Sequence, residues 1–575
     1  MKLWNSLRVV RSHPRRTLFL AAALVGLSAS AARAEIIRVG TAAACDEDTL
    51  PLALLRAALN GDAADEVRVP RDTTYSNVAI HLTDWDPATA GALTIVGGYD
   101  SCADTTINGV TTFNGTASSP VIEVDTASRP VSEVTLRALE LKGGSVGLLA
   151  EGGADVLIQG SMIRLNDGGI EVAGGADVEL NPATDVMENS GTAFGGGVLC
   201  TGAGSLLVVA GEIWNNTATS SGGGIHANTG CVVAFRAGAL IEGNQANLGG
   251  GLYIAGGARA ENLGTGSAGV DIYSNTAFQE GGGIYMAGTG PQTLLGNARI
   301  VSNEAGQRGG GVALIGGARL QLERFNFEQC LTSPRCVKIN ENLVITGGVG
   351  SAVYADGGSE FRMFQGYLES NNDSEFAGFA IFATGTDTTM LFEGVQIAHN
   401  STVALFQAEA GAKITAAFVS AAGNNYEVSG GPTVLDSRGG QAIGGATIEL
   451  YSSILVDQRP FVTSTGGAIH GDCLLLDTIS GLTSQFASQV GLDPRFVDAG
   501  AGDLHLQRDS PAIDACDAAA YTPVDADADL DARGYDFTSQ PDFVGPFDRG
   551  FDELRPLFAD GFESGDTSAW SLAIP

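Results

Sequence analysis

The stretch NQANLGGGLYIAGGARAENL, residues 244–263, holds an asparagine, a glycine triplet, a short apolar run, a Gly-Gly turn and a second alternating run. The phrase recurs. Asn189 precedes Gly195-Gly196-Gly197, Asn216 precedes Gly222-Gly223-Gly224, Asn275 precedes Gly281-Gly282-Gly283, and Asn303 precedes Gly309-Gly310-Gly311. The first glycines of the five triplets are 27, 27, 32 and 28 residues apart. Such a period marks a repeat architecture, in which each unit buries its apolar face only against its neighbours. Runs as short as VALI after Gly311 or IEV after Gly169, bounded by Gly-Gly, are strands rather than helices. Hairpin dipeptides are almost absent, so the strands stack coil upon coil as a parallel β-helix. Glycine suits its tight corners. Asparagine suits a ladder, because a stacked amide both donates and accepts along the axis.

Looser versions extend the pattern both ways, from Gly152-Gly153 upstream to Asn372, which stands before Gly378, downstream. From about Val67 to about Gln485 this gives roughly 15 coils, a rod on the order of 70 Å long. His226 occupies the repeat position of Tyr253 and Tyr285, which reads as a wall residue. The aromatics Phe361, Phe364, Tyr367, Phe376, Phe379, Phe382 and Phe392 read mainly as core, with sugar stacking as the alternative.

The Asn-x5-GGG phrase resembles the repeats of polymorphic outer membrane proteins of Gram-negative bacteria, with Ile213-Trp214-Asn215-Asn216 and Ile272-Tyr273-Ser274-Asn275 nearest to that family's FxxN element. The resemblance and the rule for parallel crossovers imply a right-handed coil. The expected fold is therefore all-β: a right-handed parallel β-helix with a short N-terminal capping helix and an irregular C-terminal cap.

The ends divide the chain further. Residues 1–34 read as a secretory signal, with Lys2, Arg8, Arg11, Arg15 and Arg16 before the apolar run Thr17–Leu27, and Ala32-Arg33-Ala34 offering cleavage before Glu35. Nothing later approaches a membrane-spanning length of apolar residues. Residues 35–70 form the N-terminal cap, where Leu52, Leu55 and Leu59 share a helical face that would plug the first coil. Cys45 with Leu55-Arg56-Ala57-Ala58-Leu59-Asn60 resembles a cap found before many bacterial β-helices. Residues 71–488 form the solenoid and 489–555 the C-terminal cap. In the latter, Asp493-Pro494-Arg495-Phe496, Gly502-Asp503-Leu504-His505-Leu506 and Ser510-Pro511-Ala512-Ile513-Asp514 resemble the choice-of-anchor Q domain of bacterial surface proteins. Residues 556–575 carry a tail, Asp560-Gly561-Phe562-Glu563-Ser564-Gly565-Asp566 with Trp570, that resembles a terminal phrase of exported proteins. It reads either as an address or as a last capping strand.

Without residues 1–34 the chain has 25 Lys+Arg against 65 Asp+Glu, a net charge of −40. Such a surface repels nucleic acid, anionic lipid and pectin-like polymers. Eight cysteines in an exported chain permit disulfides. Nearness along the chain favours Cys45 with Cys102, Cys200 with Cys231, Cys330 with Cys336, and Cys473 with Cys516.

Parallel β-helices include polysaccharide lyases and hydrolases, which need paired carboxylates or a base beside a bound cation. No such set can be nominated, and Ile469-His470-Gly471-Asp472 lacks companions. One cluster carries a chemical argument: Asp525, Asp527, Asp529 and Asp531 alternate within VDADADLDARG. Carboxylates turned to one side of an extended segment call for a hard cation, so Ca2+ is the expected cofactor and a solvated acidic loop the alternative. The expected function is that of an exported, noncatalytic surface or outer-membrane-associated protein acting in adhesion or envelope structure, with surface glycans or proteins as partners. The rival is a carbohydrate-active enzyme using a groove along the β-helix.

Overall fold

The computed structural model describes residues 34–60, 64–71, 73, 75–83, 91–126, 133–263, 269–325, 336–345, 347–373, 378–427, 434–537 and 542–554. Each coil places one strand in each of three parallel sheets. In the coil opened above, Val232–Phe235 lies in the first sheet, Leu240–Glu242 in the second and Leu252–Ile254 in the third. The next coil stacks in register, pairing Val233 with Ala260, Ile241 with Ile272 and Tyr253 with Tyr285. Alternate residues turn inward, so Val233, Phe235, Ile241, Leu252 and Ile254 join one continuous core. Among the described residues the third sheet stacks 14 strands, close to the coil count read from the repeat.

The asparagines form the column that the period implies, and it is longer than five members. Asn166, Asn189, Asn216, Asn244, Asn275, Asn303, Asn342, Asn371 and Asn400 each donate an amide hydrogen to the side-chain oxygen of the next, at 2.9–3.0 Å, and the column ends at Asn424. The same oxygen accepts the preceding backbone N–H, as Asn244 Oδ1 does from Asn216 N at 2.9 Å. The downstream member is Asn371, not Asn372. The reason lies one residue upstream: every ladder asparagine follows a residue with positive φ, from Leu165 (55°) through Glu188, Asn215 and Gly243 to Gly423 (65°). That left-handed residue turns the chain sharply out of the second sheet and points the next side chain inward. For the non-glycine members the turn costs about 1–2 kcal/mol each, which the buried amide bonds offset.

The glycine triplet follows from the same packing. The first glycine has positive φ, and the other two are crowded by the next coil. A Cβ on Gly223 would lie 2.5 Å from the carbonyl oxygen of Gln245. One on Gly224 would lie 2.7 Å from the oxygen of Gly251 and 3.0 Å from the amide nitrogen of Asn244. Triplet and ladder are therefore one device. His226 stands on the wall as expected, stacked on Tyr253 with centroids 4.5 Å apart, and Tyr253 stacks on Tyr285 at 5.3 Å. Phe361 and Phe392 are fully buried in the core, whereas Tyr367 packs outward against Phe551. Phe376 lies outside the described residues.

The N-terminal helix Leu50–Leu59 packs on the first coil, but not by the expected face. Leu50, Ala53 and Ala57 are buried, while Leu52, Leu55 and Leu59 are exposed. Small alanines allow close approach to the coil, and Arg56 fixes the rotation through ion pairs with Glu35 and Glu47. Disulfides join Cys45 to Cys102, Cys200 to Cys231 on neighbouring coils, and Cys473 to Cys516. The remaining expected pair involves Cys330, which lies outside the described residues, as do residues 1–33 of the expected signal segment and the tail at 556–575. No helix among the described residues is long and apolar enough to cross a membrane.

After Val490 the chain holds the last coil and then runs back along the flank of the second sheet. Arg549 donates to the carbonyls of Cys473 and Ala487, both at 3.2 Å. Farther back, Phe496, Leu504, Ile513, Ala528 and Phe551 pack on Leu475, Ile454, Ala422, Ala398 and Tyr367, which belong to successive coils. The segment is thus a buttress along several coils as well as a cover for the last.

Candidate functional site

Functional groups gather in several places among the described residues, and two stand out. The first is the interior of the C-terminal segment, which has few strands and satisfies its backbone through buried carboxylates instead. Asp527 accepts the amides of Asp529 (2.8 Å) and Asp531 (2.9 Å) on one oxygen and that of Glu553 (2.8 Å) on the other. Glu553 accepts Gly534, Tyr535 and Asp548 N–H at 2.7, 2.8 and 3.2 Å. Asp548 accepts Asp514 and Leu554 N–H, and Asp552 accepts Leu506 N–H at 2.7 Å. Burial pushes the carboxyl of Asp527 up to about 6 and those of Asp552 and Glu553 up to about 7. Asp548, buried against Glu553, is raised well above the ordinary range.

His505 anchors the acidic cluster. Its Nδ1 meets Asp503 at 2.5 Å and its Nε2 meets Asp529 at 2.6 Å. Burial alone would lower the imidazole. The hydrogen bond to Asp529, the charge of Asp552 and the bond to Asp503 outweigh it and raise the group to about 9. Near neutral pH an imidazolium therefore sits among the carboxylates.

The four alternating aspartates do not converge. Asp525 is exposed, Asp527 is buried with both oxygens engaged, and only Asp529 joins a compact group, with His505 and Asp552, whose ligand atoms lie within 4.8 Å of one another. Its His505 is hydrogen-bonded at both ring nitrogens, by Asp503 and Asp529, so among the described residues the four aspartates are not gathered as one set of cation ligands. A second acidic group, Asp514 with Asp536 and Asp542, has similar spacing, and both oxygens of Asp514 face the Phe537 N–H at 3.2 Å.

The second place is a groove of about 370 Å³ on the outer face of the first sheet. Strand register sets its floor: Glu360, Thr389 and Lys413 stack in one column, and Arg362, Leu391, Thr415 and Glu449 in the next. Arg362 donates to Glu360 at 2.6 Å and Lys413 pairs with Glu449 at 2.7 Å. Tyr451 donates to Glu449 at 3.2 Å and stacks on Tyr521 from the C-terminal segment, with centroids 5.4 Å apart and planes 26° apart. Burial, then the nearby Glu449, push the Tyr451 hydroxyl up to about 12, so it remains a donor. Tyr521 in turn donates to the buried Glu393 at 2.7 Å.

No family model, curated protein or solved structure matches this chain.

Sequence reasoning did not find the groove. Its residues come from coils of unequal length and from a segment some seventy positions beyond Glu449, so no spacing rule links them. Period-2 alternation marks them only as outward-facing. For the C-terminal segment the acidic positions were visible, but their backbone partners were not.

Proposed function

We propose that the chain is an exported, noncatalytic β-helix rod acting in surface contact or envelope structure. The observation that carries this reading is how the conspicuous polar groups are spent. The repeat asparagines bind one another, the C-terminal carboxylates bind backbone amides, and Glu360 and Glu449 in the groove are each held by a cation. Catalytic carboxylate pairs work instead with one group protonated and one ionised about the scissile bond. The secretory signal and the resemblance to surface repeats and to choice-of-anchor proteins support the same reading by analogy, since one fold hosts many functions.

Purified residues 35–575 are expected to release neither reducing ends nor unsaturated products from a broad polysaccharide panel. Turnover of one polymer, abolished by substituting a single groove carboxylate, would establish the enzyme reading. Fractionation should place the protein outside the cytoplasm, and deleting its gene should weaken cell adhesion or the envelope. Cytoplasmic retention of the full chain would overturn the export part.

A further inference from the structure

We propose that the groove between Glu360 and Tyr521 binds a neutral oligosaccharide. The proposal takes the bound glycan as unchanged, and to that extent rests on the noncatalytic reading. Charge is the first argument. The chain carries a formal net charge of −34, yet the four ionised groups of this groove, Glu360, Arg362, Lys413 and Glu449, cancel in two ion pairs. A locally neutral patch on an acidic rod neither concentrates cations nor admits polyanions, which the surrounding field repels.

Shape is the second. The short side chains of Thr389, Leu391 and Thr415 form the floor, while the longer Arg362–Glu360 and Lys413–Glu449 pairs rise on either side. From Arg362 on one wall to Glu449 on the other the groove spans three inter-strand steps, about 14 Å at the usual strand spacing. That width leaves room for a sugar ring to lie across the floor between the two ion pairs.

Chemistry is the third. Guanidinium, ammonium, carboxylate and phenol supply donors and acceptors in fixed directions, because each charged group is already oriented by its partner. Sugar hydroxyls both donate and accept, so they can bridge such pairs without breaking them. At one end the Tyr451–Tyr521 stack presents half-buried aromatic surface, against which the C–H face of a pyranose can pack. A few convergent polar groups beside aromatic surface in a concave site is the usual composition of a ligand pocket. Tyr521 also gives the site a tertiary condition: the groove is complete only when the C-terminal segment is docked, as its hydrogen bond to Glu393 shows.

The test is affinity electrophoresis of residues 35–575 through gels containing soluble neutral glucan, mannan, xylan or galactomannan, with polygalacturonate as the anionic control. At least one neutral polymer is expected to retard the protein, and polygalacturonate is not. Thr415→Trp, at an outward position, fills the trough and should weaken binding at least tenfold with an unchanged thermal midpoint. Tyr451→Ala should weaken it comparably by removing the stacking wall. Absence of retardation by every neutral polymer, equal retardation of Thr415→Trp, or preference for polygalacturonate would each overturn the proposal. Release of reducing ends by the parent protein, lost in Thr415→Trp, would uphold the groove as the glycan site and overturn the noncatalytic reading instead.

Discussion

Replacing Asn216 by leucine tests whether the ladder holds the coils together. The Asn216 side chain accepts the Asn189 backbone N–H at 3.1 Å and its amide at 2.9 Å. It donates to Val186 O at 2.8 Å, Trp214 O at 3.1 Å and Asn244 at 3.0 Å. Leucine keeps the branched outline of the side chain, with two bulkier methyl groups, and removes all five bonds. The Asn189 amide can still use Ile163 O, at 2.9 Å, but its backbone N–H is left buried without an acceptor. An orphaned buried group costs roughly 1–3 kcal/mol, and with the Val186 carbonyl also losing a donor the total is about 3 kcal/mol after some apolar gain. Each coil contacts only its neighbours, so this loss stays local rather than spreading along the rod. A global melting midpoint would dilute it, so hydrogen exchange read by mass spectrometry is the better assay. Peptides spanning residues 186–250 should exchange about 100-fold faster, at roughly 1.4 kcal/mol per tenfold, while peptides near residues 95–140 and 440–476 stay unchanged. A local change below threefold, or uniform acceleration along the whole rod, would refute the reasoning.

Gly224→Ala should destabilise more than Gly257→Ala, because the first Cβ meets the backbone oxygen of Gly251 whereas the second meets open space and bears only its positive-φ strain of about 1 kcal/mol; equal losses in urea titrations would contradict the account of the triplet. Removing Cys473–Cys516, which closes 43 residues of chain, should cost about 4 kcal/mol of chain entropy and expose residues 491–554 to limited proteolysis; unchanged cleavage would show that packing alone holds the segment. The pH dependence of that segment has a definite sign. Asp527, Asp552 and Glu553 hold protons more tightly folded than unfolded, so stability falls as pH rises from about 4 to about 7. His505 contributes stability that is full below 6.5 and is lost as pH rises through about 9. Protease protection should therefore decline from pH 5 to 9, with the upper phase absent in His505→Gln; protection that increases with pH would refute the network. Because Asp527 is engaged by backbone amides and Asp529 by His505, millimolar calcium and chelator should give the same thermal midpoint, and a calcium-dependent increase would restore the four-aspartate expectation.

What the sequence determined by itself is the part of the fold that repeats. A period near 27 residues, glycine triplets and spaced asparagines can be read locally, because in a solenoid the partner of each residue is its own counterpart one coil away. The wall position of His226 and the Cys200–Cys231 pairing followed from that register. The register failed where local chemistry offered two answers. Asn372 and Asn371 are adjacent and chemically alike, and only the left-handed turn at Ser370 decides which enters the ladder. The helix offered two apolar faces, and the ion pairs of Arg56 with Glu35 and Glu47 select the alanine face. In the C-terminal segment, alternation alone would turn Asp525, Asp527, Asp529 and Asp531 to one side. Tertiary structure separates them, because the amides of a segment with few strands need acceptors and the nearest carboxylates supply them. The groove is decided by tertiary structure entirely. Its floor comes from coils of unequal length, and its aromatic wall forms only when a segment beyond the last coil folds back along the rod.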